Sequence, residues 1–473
     1  MDTSSSETRN TKPSPNNQPT QTQDERSKAL SSAPIGKLYL HMALPMAFGL
    51  LLHGLYNIVD AYFVTRYVGA NAIAGVSIAF PIQMIIHAFG AMIGAGASTL
   101  VSQKLGAKDT GGARNIAANA ISLCLIAAAI FTTTILWLFP QLLKLMNTSD
   151  AHIPYVQAYL TPLIFGTVLF FAGNLCSDLL RSEGRIKPMM LITIIAAIGN
   201  ILLDALLIVH FNFGVSGAAW ATLIAQAISV TTGIALFCNP STALKISSIK
   251  LKVATSTYKR ILALGVPLLL SFLGTSLTFG FINASLAGSA HPESELMVSA
   301  YGVLGRAYIF IVLPLLAIAN TTQTLVAFNY GAKRLDRVKR TAQVGAYIAF
   351  AYLLTFVALT ITMSDRMMMI FTENMALVRI GSEIAQIYFI GLPLAAINMV
   401  ILATFQGLGR PKEAMVLSLF RTYGLLLSLI VIIPKIWTIK HIWFAAPVSE
   451  VIAITVISAV IYVNKTKIFS VRE

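Results

Sequence analysis

The sequence contains 473 residues, of which 56% are hydrophobic and only 11% are charged, with a formal net charge of +15. Soluble domains carry about 25% charged residues, so this composition excludes an ordinary soluble protein. A membrane span needs roughly 20 mostly apolar residues. Such stretches recur from Lys37 to Val463, which indicates an all-α integral membrane protein.

Residues 1–35 differ from the rest of the chain. They are rich in Ser, Thr, Asn, Gln and Pro and contain no apolar run. A segment that cannot bury enough apolar surface stays disordered, and the hydrophobic region of a signal peptide is lacking. We therefore predict a disordered cytoplasmic tail over 1–35.

Twelve apolar segments follow, six in each half of the chain. They are predicted at 37–63, 72–101, 116–139, 154–178, 188–210, 217–238, 259–286, 297–327, 341–363, 376–404, 413–434 and 442–463. Segments such as 121–135 are apolar all round, whereas strands of a membrane barrel alternate with period two. The predicted domains are an N-lobe (36–240), a cytoplasmic linker (241–258), a C-lobe (259–463) and a cytoplasmic tail (464–473).

Basic residues are concentrated in the loops on one side of the predicted membrane. The densest clusters are Lys245, Lys250, Lys252, Lys259 and Arg260 in the central loop, and Lys333, Arg334, Arg337, Lys339 and Arg340 after the eighth segment. Loops rich in Lys and Arg remain in the cytoplasm. The net charge therefore reflects topology rather than nucleic-acid binding, and both termini are predicted to be cytoplasmic.

The two halves share short motifs at a constant separation of 225 residues. The matching pairs are Leu100-Val101 with Leu325-Val326, Gly106-Ala107-Lys108 with Gly331-Ala332-Lys333, and Gly184-Arg185 with Gly409-Arg410. Pro45 and Pro267 match at a slightly shorter offset. Parallel repeats of this kind place a transport site between the lobes near the middle of the membrane. Duplication kept only for packing is the alternative.

Four stretches resemble a known transporter family. They are Leu44-Pro45 with Val59-Asp60, Gly94-Ala95-Gly96-Ala97-Ser98, Leu180-Arg181-Ser182-Glu183-Gly184-Arg185, and Asn200-Ile201-Leu202-Leu203-Asp204 ahead of Gly214-Val215-Ser216-Gly217. Their order and spacing over about 36–463 are similar to those of the multidrug and toxic compound extrusion family, in its bacterial branch of damage-inducible-protein type.

The resemblance implies a monomeric, V-shaped pair of six-helix lobes in the bacterial inner membrane. It implies export of cationic, often aromatic compounds by antiport, with protons favoured over sodium as the coupling ion and no cofactor. It also implies that Asp60, Asp204 and Asn200 couple the ion, and these residues would hold sodium if sodium is used. Tyr159, Asn174 and Thr222 fall near positions that the family uses in its N-lobe pocket.

The residues alone also favour Asp60 and Asp204. An Asp in the centre of a membrane helix costs roughly 2.5–3.5 kcal/mol, so intramembrane acids are functional candidates. His53, Asn57 and Asp60 share one helix face, as do Asn200 and Asp204. A purely structural hydrogen-bonding role for each acid is the alternative.

These positions suggest a mechanism. Burial disfavours the charged carboxylate, so ions from outside could neutralise the acids, alter the first helix near Pro45 and release the substrate cation. Further polar residues are expected to line the substrate cavity: Tyr56, Asn57, Gln83, Tyr159, Asn174 and Thr222, and also His87, Gln226, Asn283 and Asn398.

The C-half lacks the corresponding acids. Asp60, Asn200 and Asp204 correspond to Ile282, Leu425 and Leu429. Sodium-coupled relatives of the other bacterial branch have acids in helices seven and ten, near Thr275 and Ala395 here, where this chain has none. We therefore predict a polar cluster in the N-lobe only. Arg421 is expected to extend towards the membrane surface, and Glu450 either pairs within the C-lobe or lines the cavity.

Two other functions compete. Clustered metal-ligand spacing, a nucleophile elbow and a P-loop are all lacking in the sequence, which argues against an enzyme or an ATPase. A lipid-linked saccharide flippase of the same superfamily would need a cationic cavity for pyrophosphate. The deepest charges placed here, Asp60 and Asp204, are acidic and would repel it.

Overall fold

The computed structural model describes residues 23–146, 148–239, 242–245, 253–289, 291–370 and 372–463. Within these ranges the chain forms helices and no β-strand. The N-lobe helices, with α1 before them, are α1 (Gln23–Ser32), α2 (Ile35–Phe63), α3 (Ala70–Gly106), α4 (Thr110–Leu145), α5 (Ile153–Phe165), α6 (Thr167–Ser182), α7 (Ile186–Asp204) and α8 (Gly214–Phe237). The C-lobe helices are α9 (Thr255–Ala287), α10 (Ser294–Gly331), α11 (Leu335–Met369), α12 (Met375–Tyr388), α13 (Leu392–Gly407), α14 (Pro411–Ser418), α15 (Leu427–Ile436) and α16 (Ala445–Val463).

Eleven of the resulting spans are long and apolar enough to cross a membrane, and α5 with α6 forms a twelfth span bent by 52°. The predicted all-α fold with twelve spans in two six-helix lobes is therefore confirmed. Because all backbone hydrogen bonds of a helix lie within one segment, these helices can satisfy their polar groups in lipid. Several helices extend beyond the predicted segments, for example α3 beyond 72–101 and α4 beyond 116–139.

The internal repeat is visible in the backbone. Lys108 and Lys333 have φ values of 60° and 58°, and Gly184 and Gly409 have φ values of 71° and 70°. Left-handed backbone is uncommon outside glycine, so equivalent residues of the two halves share an unusual turn. The shared motifs thus mark equivalent helix ends, since Lys108 and Lys333 follow α3 and α10.

The lobes contact each other through α2 and α3 of the N-lobe and α9 and α10 of the C-lobe. Gly106 packs on the carbonyl oxygen of Phe328, and Gly331 packs on that of Gln103. These contacts are related by the repeat. The Gln103 Nε2 atom also donates to the carbonyl of Gly407 at 2.8 Å. This contact lies at the end of α3 that is predicted to be cytoplasmic.

The disorder predicted for residues 1–35 is wrong for Gln23–Ser32, which form α1, and for the first turn of α2; residues 1–22 lie outside the described residues. The helix is held by contacts that the tail's composition does not reveal. Leu30 is buried, Arg334 Nη1 donates to the Ser31 carbonyl at 2.7 Å, and Arg337 Nη2 donates to the Ala33 carbonyl at 2.8 Å. Tertiary packing therefore supplies the stability that the sequence of α1 lacks.

The predicted linker is also partly described. Glu183 accepts hydrogen bonds from the Thr242 hydroxyl at 2.7 Å and the Leu244 amide at 2.8 Å, and Arg114 Nε donates to the Ala243 carbonyl at 2.7 Å. The linker thus lies against the N-lobe. Its second part is shorter than predicted because α9 begins at Thr255; 246–252 and the tail at 464–473 lie outside the described residues.

Candidate functional site

The two predicted coupling acids lie at similar places in their helices. Asp60 is in the last turn of α2, and Asp204 is the final residue of α7. A π-helical segment follows each of them, Val64–Val68 after α2 and Ala205–His210 after α7, and the two segments lie against each other. Single π-helical turns occur frequently at functional sites because they interrupt the regular hydrogen-bond ladder.

The structure brings most of the predicted N-lobe residues together. Asp60 and Asp204 interact electrostatically with each other and with the phenol groups of Tyr56 and Tyr159. The Tyr159 hydroxyl donates to Gln83 Oε1 at 3.4 Å. One turn before Asp204, the side chain of Asn200 extends towards α8. We call Asp60, Asn200 and Asp204 the N-lobe acid cluster.

Asn200 connects this cluster to α8. Its Nδ2 atom donates to the Thr222 hydroxyl at 3.0 Å, and that hydroxyl donates to the Ala218 carbonyl at 3.0 Å. Asn200 and Thr222 are 1% and 5% exposed, so this hydrogen bond forms away from water. Its geometry fixes the amide plane of Asn200 and thereby the direction of its oxygen.

Several buried oxygens of the N-lobe acid cluster have no hydrogen-bond partner in the described part of the chain. They are Asp60 Oδ1, Asn200 Oδ1 and both carboxylate oxygens of Asp204. Unsatisfied buried acceptors are costly and need an explanation such as an unseen water or ion. A set made only of oxygen atoms and rich in negative charge can take up a proton or a small hard cation.

Two predicted cavity residues are not part of this cluster. Asn57 Nδ2 donates to the His53 carbonyl at 2.8 Å, and Asn174 Nδ2 donates to the Phe170 carbonyl at 2.9 Å, so each amide serves its own helix. Next to them, the rings of His53 and His87 lie 5.8 Å apart in an edge-on arrangement. A substrate-binding role for both amides stays a prediction.

The expectation that only the N-lobe contains a polar cluster is wrong. Arg421 contacts Glu450 through Nη2 at 2.5 Å and Nε at 2.9 Å. Asn398 Nδ2 donates to the other Glu450 oxygen at 2.7 Å. The expected extension of Arg421 towards the membrane surface is wrong as well, because pairing with a buried carboxylate stabilises its charge better than a partial approach to water.

A group of packed aromatic rings adjoins this C-lobe ion pair (Arg421 and Glu450) through Tyr388, which interacts with Glu450. Tyr301 lies 5.4 Å from Trp443 and 5.8 Å from Tyr388 between ring centroids. Tyr308 interacts electrostatically with both Arg421 and Glu450. Arg421 was not identified as the partner of Glu450 because the two residues lie on different helices, and no local spacing links them. The signals in the sequence were Glu450, expected either to pair within the C-lobe or to line the cavity, and Asn398, predicted as a cavity residue.

Comparisons with known proteins agree on the family. The family model described as MatE matches residues 45–206 and again 267–432. The multidrug export protein MepA of Staphylococcus haemolyticus (strain JCSC1435) is 24% identical over 401 residues, covering 84% of this chain and 86% of MepA. The MepA of Staphylococcus aureus (strain NCTC 8325 / PS 47) is 23% identical over 402 residues, covering 84% and 87%.

Solved structures resemble the whole fold. The outward-facing conformation of a multidrug resistance MATE family transporter of the MOP superfamily has 25% sequence identity and a TM-score of 0.87, covering 95% of this chain and 99% of that chain. A MATE in complex with MaL6 has 24% identity and a TM-score of 0.86, covering 94% and 99%. The family model matches twice, starting at the equivalent prolines Pro45 and Pro267, which agrees with the internal repeat.

Proposed function

Because this chain belongs to the MatE family, we propose that it is a multidrug efflux transporter that exports organic cations by alternating-access antiport. It acts as a monomer in the bacterial inner membrane, with both termini in the cytoplasm. Its relatives in Staphylococcus are multidrug export proteins, which supports small drug-like compounds as substrates. The two-lobed repeat suits alternation around a site between the lobes.

The observation that carries the coupling step is the N-lobe acid cluster. Two interacting carboxylates and an amide present buried oxygens that have no hydrogen-bond partner among the described residues. Taking up one proton removes the repulsion between the carboxylates. A proton binds to a single oxygen and does not need several ligands arranged around it, as sodium does, so the proton is the favoured coupling ion. Sodium would use the oxygens of Asp60, Asn200 and Asp204 instead.

The adjacent π-helical segments offer a way to transmit the change. Neutralising Asp60 and Asp204 alters the packing between Val64–Val68 and Ala205–His210, which lie against each other. α2 continues as a helix through Pro45, so the irregular turn near Asp60 is the better candidate for the moving part. α2 also contacts α10 of the other lobe, which would convey its movement to the lobe interface.

Substrate release follows from the same charge change. A cation near Tyr56, Tyr159, Gln83 and Thr222 is attracted by the ionised acids and loses that attraction when they are neutralised. Asn57 and Asn174 would contribute the polar wall of the cavity. A lipid-linked saccharide flippase is the less suitable alternative, since Arg421 is neutralised by Glu450 and the N-lobe acids repel a pyrophosphate.

The experiment uses purified protein in liposomes and a cationic dye such as ethidium. A pH gradient and a sodium gradient are applied separately, and dye movement is followed by fluorescence. We expect the pH gradient to drive movement. Asp60→Asn and Asp204→Asn should each reduce the gradient-driven rate by at least about tenfold, because neither can exchange a proton.

Asp109→Asn is the matched control. Asp109 is a partly exposed N-lobe carboxylate that accepts from the Gly112 amide at 2.7 Å before α4, and Asn also serves at such positions. Its transport rate should stay normal. Dye movement that responds to neither gradient would contradict antiport, and full efflux by both acid variants would contradict the coupling role.

A further inference from the structure

We propose that Glu450 is a second cation-binding carboxylate, that Arg421 occupies it when the C-lobe holds no substrate, and that an organic monocation displaces Arg421. This inference rests on the proposed function and adds a substrate subsite in the lobe that lacks the coupling acids. Glu450 lies in α16, and Arg421 lies in the π-helical segment Leu419–Leu426 between α14 and α15.

The two members of the pair differ in how firmly they are held. The side chain of Glu450 is 7% accessible, and Asn398, which is 1% exposed, holds one of its oxygens at 2.7 Å. Arg421 keeps 29% of its side chain accessible. Its π-helical segment has a looser backbone ladder than a regular helix. When the pair separates, the arginine is therefore the member that moves, and the carboxylate stays in place.

A fixed carboxylate that is released from its arginine attracts a positive charge. The nearby aromatic rings determine which kind of cation fits there. Tyr308 interacts with both charges of the pair, and Tyr388 interacts with Glu450. Tyr388, Tyr301 and Trp443 pack against one another with ring centroids 5.4 to 6.3 Å apart. Aromatic faces attract cations, and a wall of this size suits an organic cation with flat apolar groups.

Charge balance makes the exchange selective. Separating a buried ion pair without replacement leaves an uncompensated charge, which is strongly unfavourable. An organic cation replaces the guanidinium at Glu450, so the carboxylate stays compensated. The displaced guanidinium, whose side chain is already 29% accessible in the pair, turns towards solvent and keeps its charge hydrated. A neutral molecule of the same shape cannot compensate the carboxylate. The pair thus excludes neutral compounds and admits cations, although its own net charge is zero.

The test measures equilibrium binding to the purified full chain in detergent, with tetraphenylphosphonium as the cationic probe and triphenylphosphine oxide as the neutral one. Arg421→Met removes the competitor and should tighten tetraphenylphosphonium binding by about tenfold, whereas Glu450→Gln should weaken it by at least about tenfold. Binding of the neutral probe should change in neither variant.

Glu293→Gln provides a matched control in the same lobe. Glu293, which precedes the span Ser294–Gly331, pairs with Lys440 at 2.7 Å and Arg379 at 3.2 Å. The hydrogen bond from Lys440 holds its pKa below the usual value, so it too is ionised. Removing the charge of Glu293 should leave the affinity for tetraphenylphosphonium unchanged. The double variant Arg421→Met/Glu450→Gln removes both charges, which guards against misfolding from one unpaired charge, and should bind as weakly as Glu450→Gln.

Two results would overturn the subsite. One is weaker binding in Arg421→Met as well as in Glu450→Gln, which would mean that the pair is structural or that Arg421 itself contacts the ligand. The other is unchanged affinity in every variant. If either occurs while gradient-driven dye efflux persists in liposomes, the proposed function stands and only the C-lobe subsite falls.

Discussion

Asn200 is the residue that orients the N-lobe acid cluster. Its amide nitrogen is committed to the Thr222 hydroxyl at 3.0 Å, which turns its oxygen away from α8. That oxygen is buried and has no partner within the described ranges. An amide whose nitrogen is fixed in this way can present its oxygen to a cation, or accept from a protonated carboxyl group. The direction of one amide therefore matters as much as the two charges.

Replacing Thr222 tests this orientation. Thr222→Val keeps the shape but leaves the buried Asn200 nitrogen without its acceptor, which should destabilise the protein by about 1–3 kcal/mol. Gradient-driven dye efflux should also fall because the amide can rotate. Thr222→Ser restores the hydroxyl and should recover both properties. Thermal unfolding measures the stability, and liposome transport measures the efflux. Equal stability and equal efflux in the Val and Ser variants would contradict the orienting role of Thr222.

At this scale the sequence predicts charges but not their partners. Asp60 and Asp204 were identifiable because acids are rare in apolar segments, and Asn200 because it lies one turn before Asp204. The pairing of Arg421 with Glu450 was not predictable, since it depends on how α16 packs against the segment after α14. Periodicity within one helix carries no information about which face meets which neighbour.

The fourth span is the element that departs most from a straight helix. The sequence predicts one segment over 154–178, and the structure has α5 and α6 with a bend of 52° between them. Pro162 lies in the last turn of α5 and Gly166 lies at the break. Proline removes a helix hydrogen bond, which explains why the helix is weakened near the break between α5 and α6. Packing of Gly166 against Leu223 of α8 then sets where the chain turns.

Gly166→Ala should disturb this packing. An added methyl group would overlap the side chain of Leu223, which is 6% exposed, and overpacking of a buried contact costs about 1–3 kcal/mol. Leu223→Val shortens the opposing side chain and should offset part of the loss in the double variant. A double-mutant cycle of unfolding midpoints measures the coupling, and strictly additive effects would show that the two residues do not share this contact.

On the scale of the whole molecule, hydrogen bonds join the lobes at the side predicted to be cytoplasmic. Gln323 Nε2 donates to the Thr99 hydroxyl at 2.8 Å, and Arg181 Nη1 donates to the Thr324 hydroxyl at 2.6 Å, both across the two lobes. α1 lies on the same side and is held by Arg334 and Arg337. We infer that this arrangement is a state closed towards the cytoplasm.

The sequence predicted the two lobes and their repeat but not this closure. The motif Gly-Ala-Lys was recognised as a repeat signature, whereas its structural use is a close approach between backbones. Gly106 packs on the Phe328 carbonyl and Gly331 on the Gln103 carbonyl. Since each glycine meets the helix of the other lobe, the reason for glycine appears only when both lobes are seen together.

This contact gives a prediction for the transport cycle. Gly331→Ala, or Gly106→Ala, would place a methyl group against a backbone carbonyl of the other lobe, which cannot move aside as a flexible side chain can. The closed state should become less populated, and the gradient-driven efflux rate should fall by roughly tenfold, about 1.4 kcal/mol. Gly302→Ala on the same helix is the control, because a methyl group there meets nothing within 4 Å.

Spin labels report the lobe separation directly. Asn115 on α4 and Arg340 on α11 are exposed and occupy equivalent positions in the two lobes, so labels there measure opening on this side. The three native cysteines, Cys124, Cys176 and Cys238, are replaced first. We expect a longer label distance in Gly331→Ala than in Gly302→Ala. Equal distances together with normal efflux would mean that the two glycines are not required for the lobes to close.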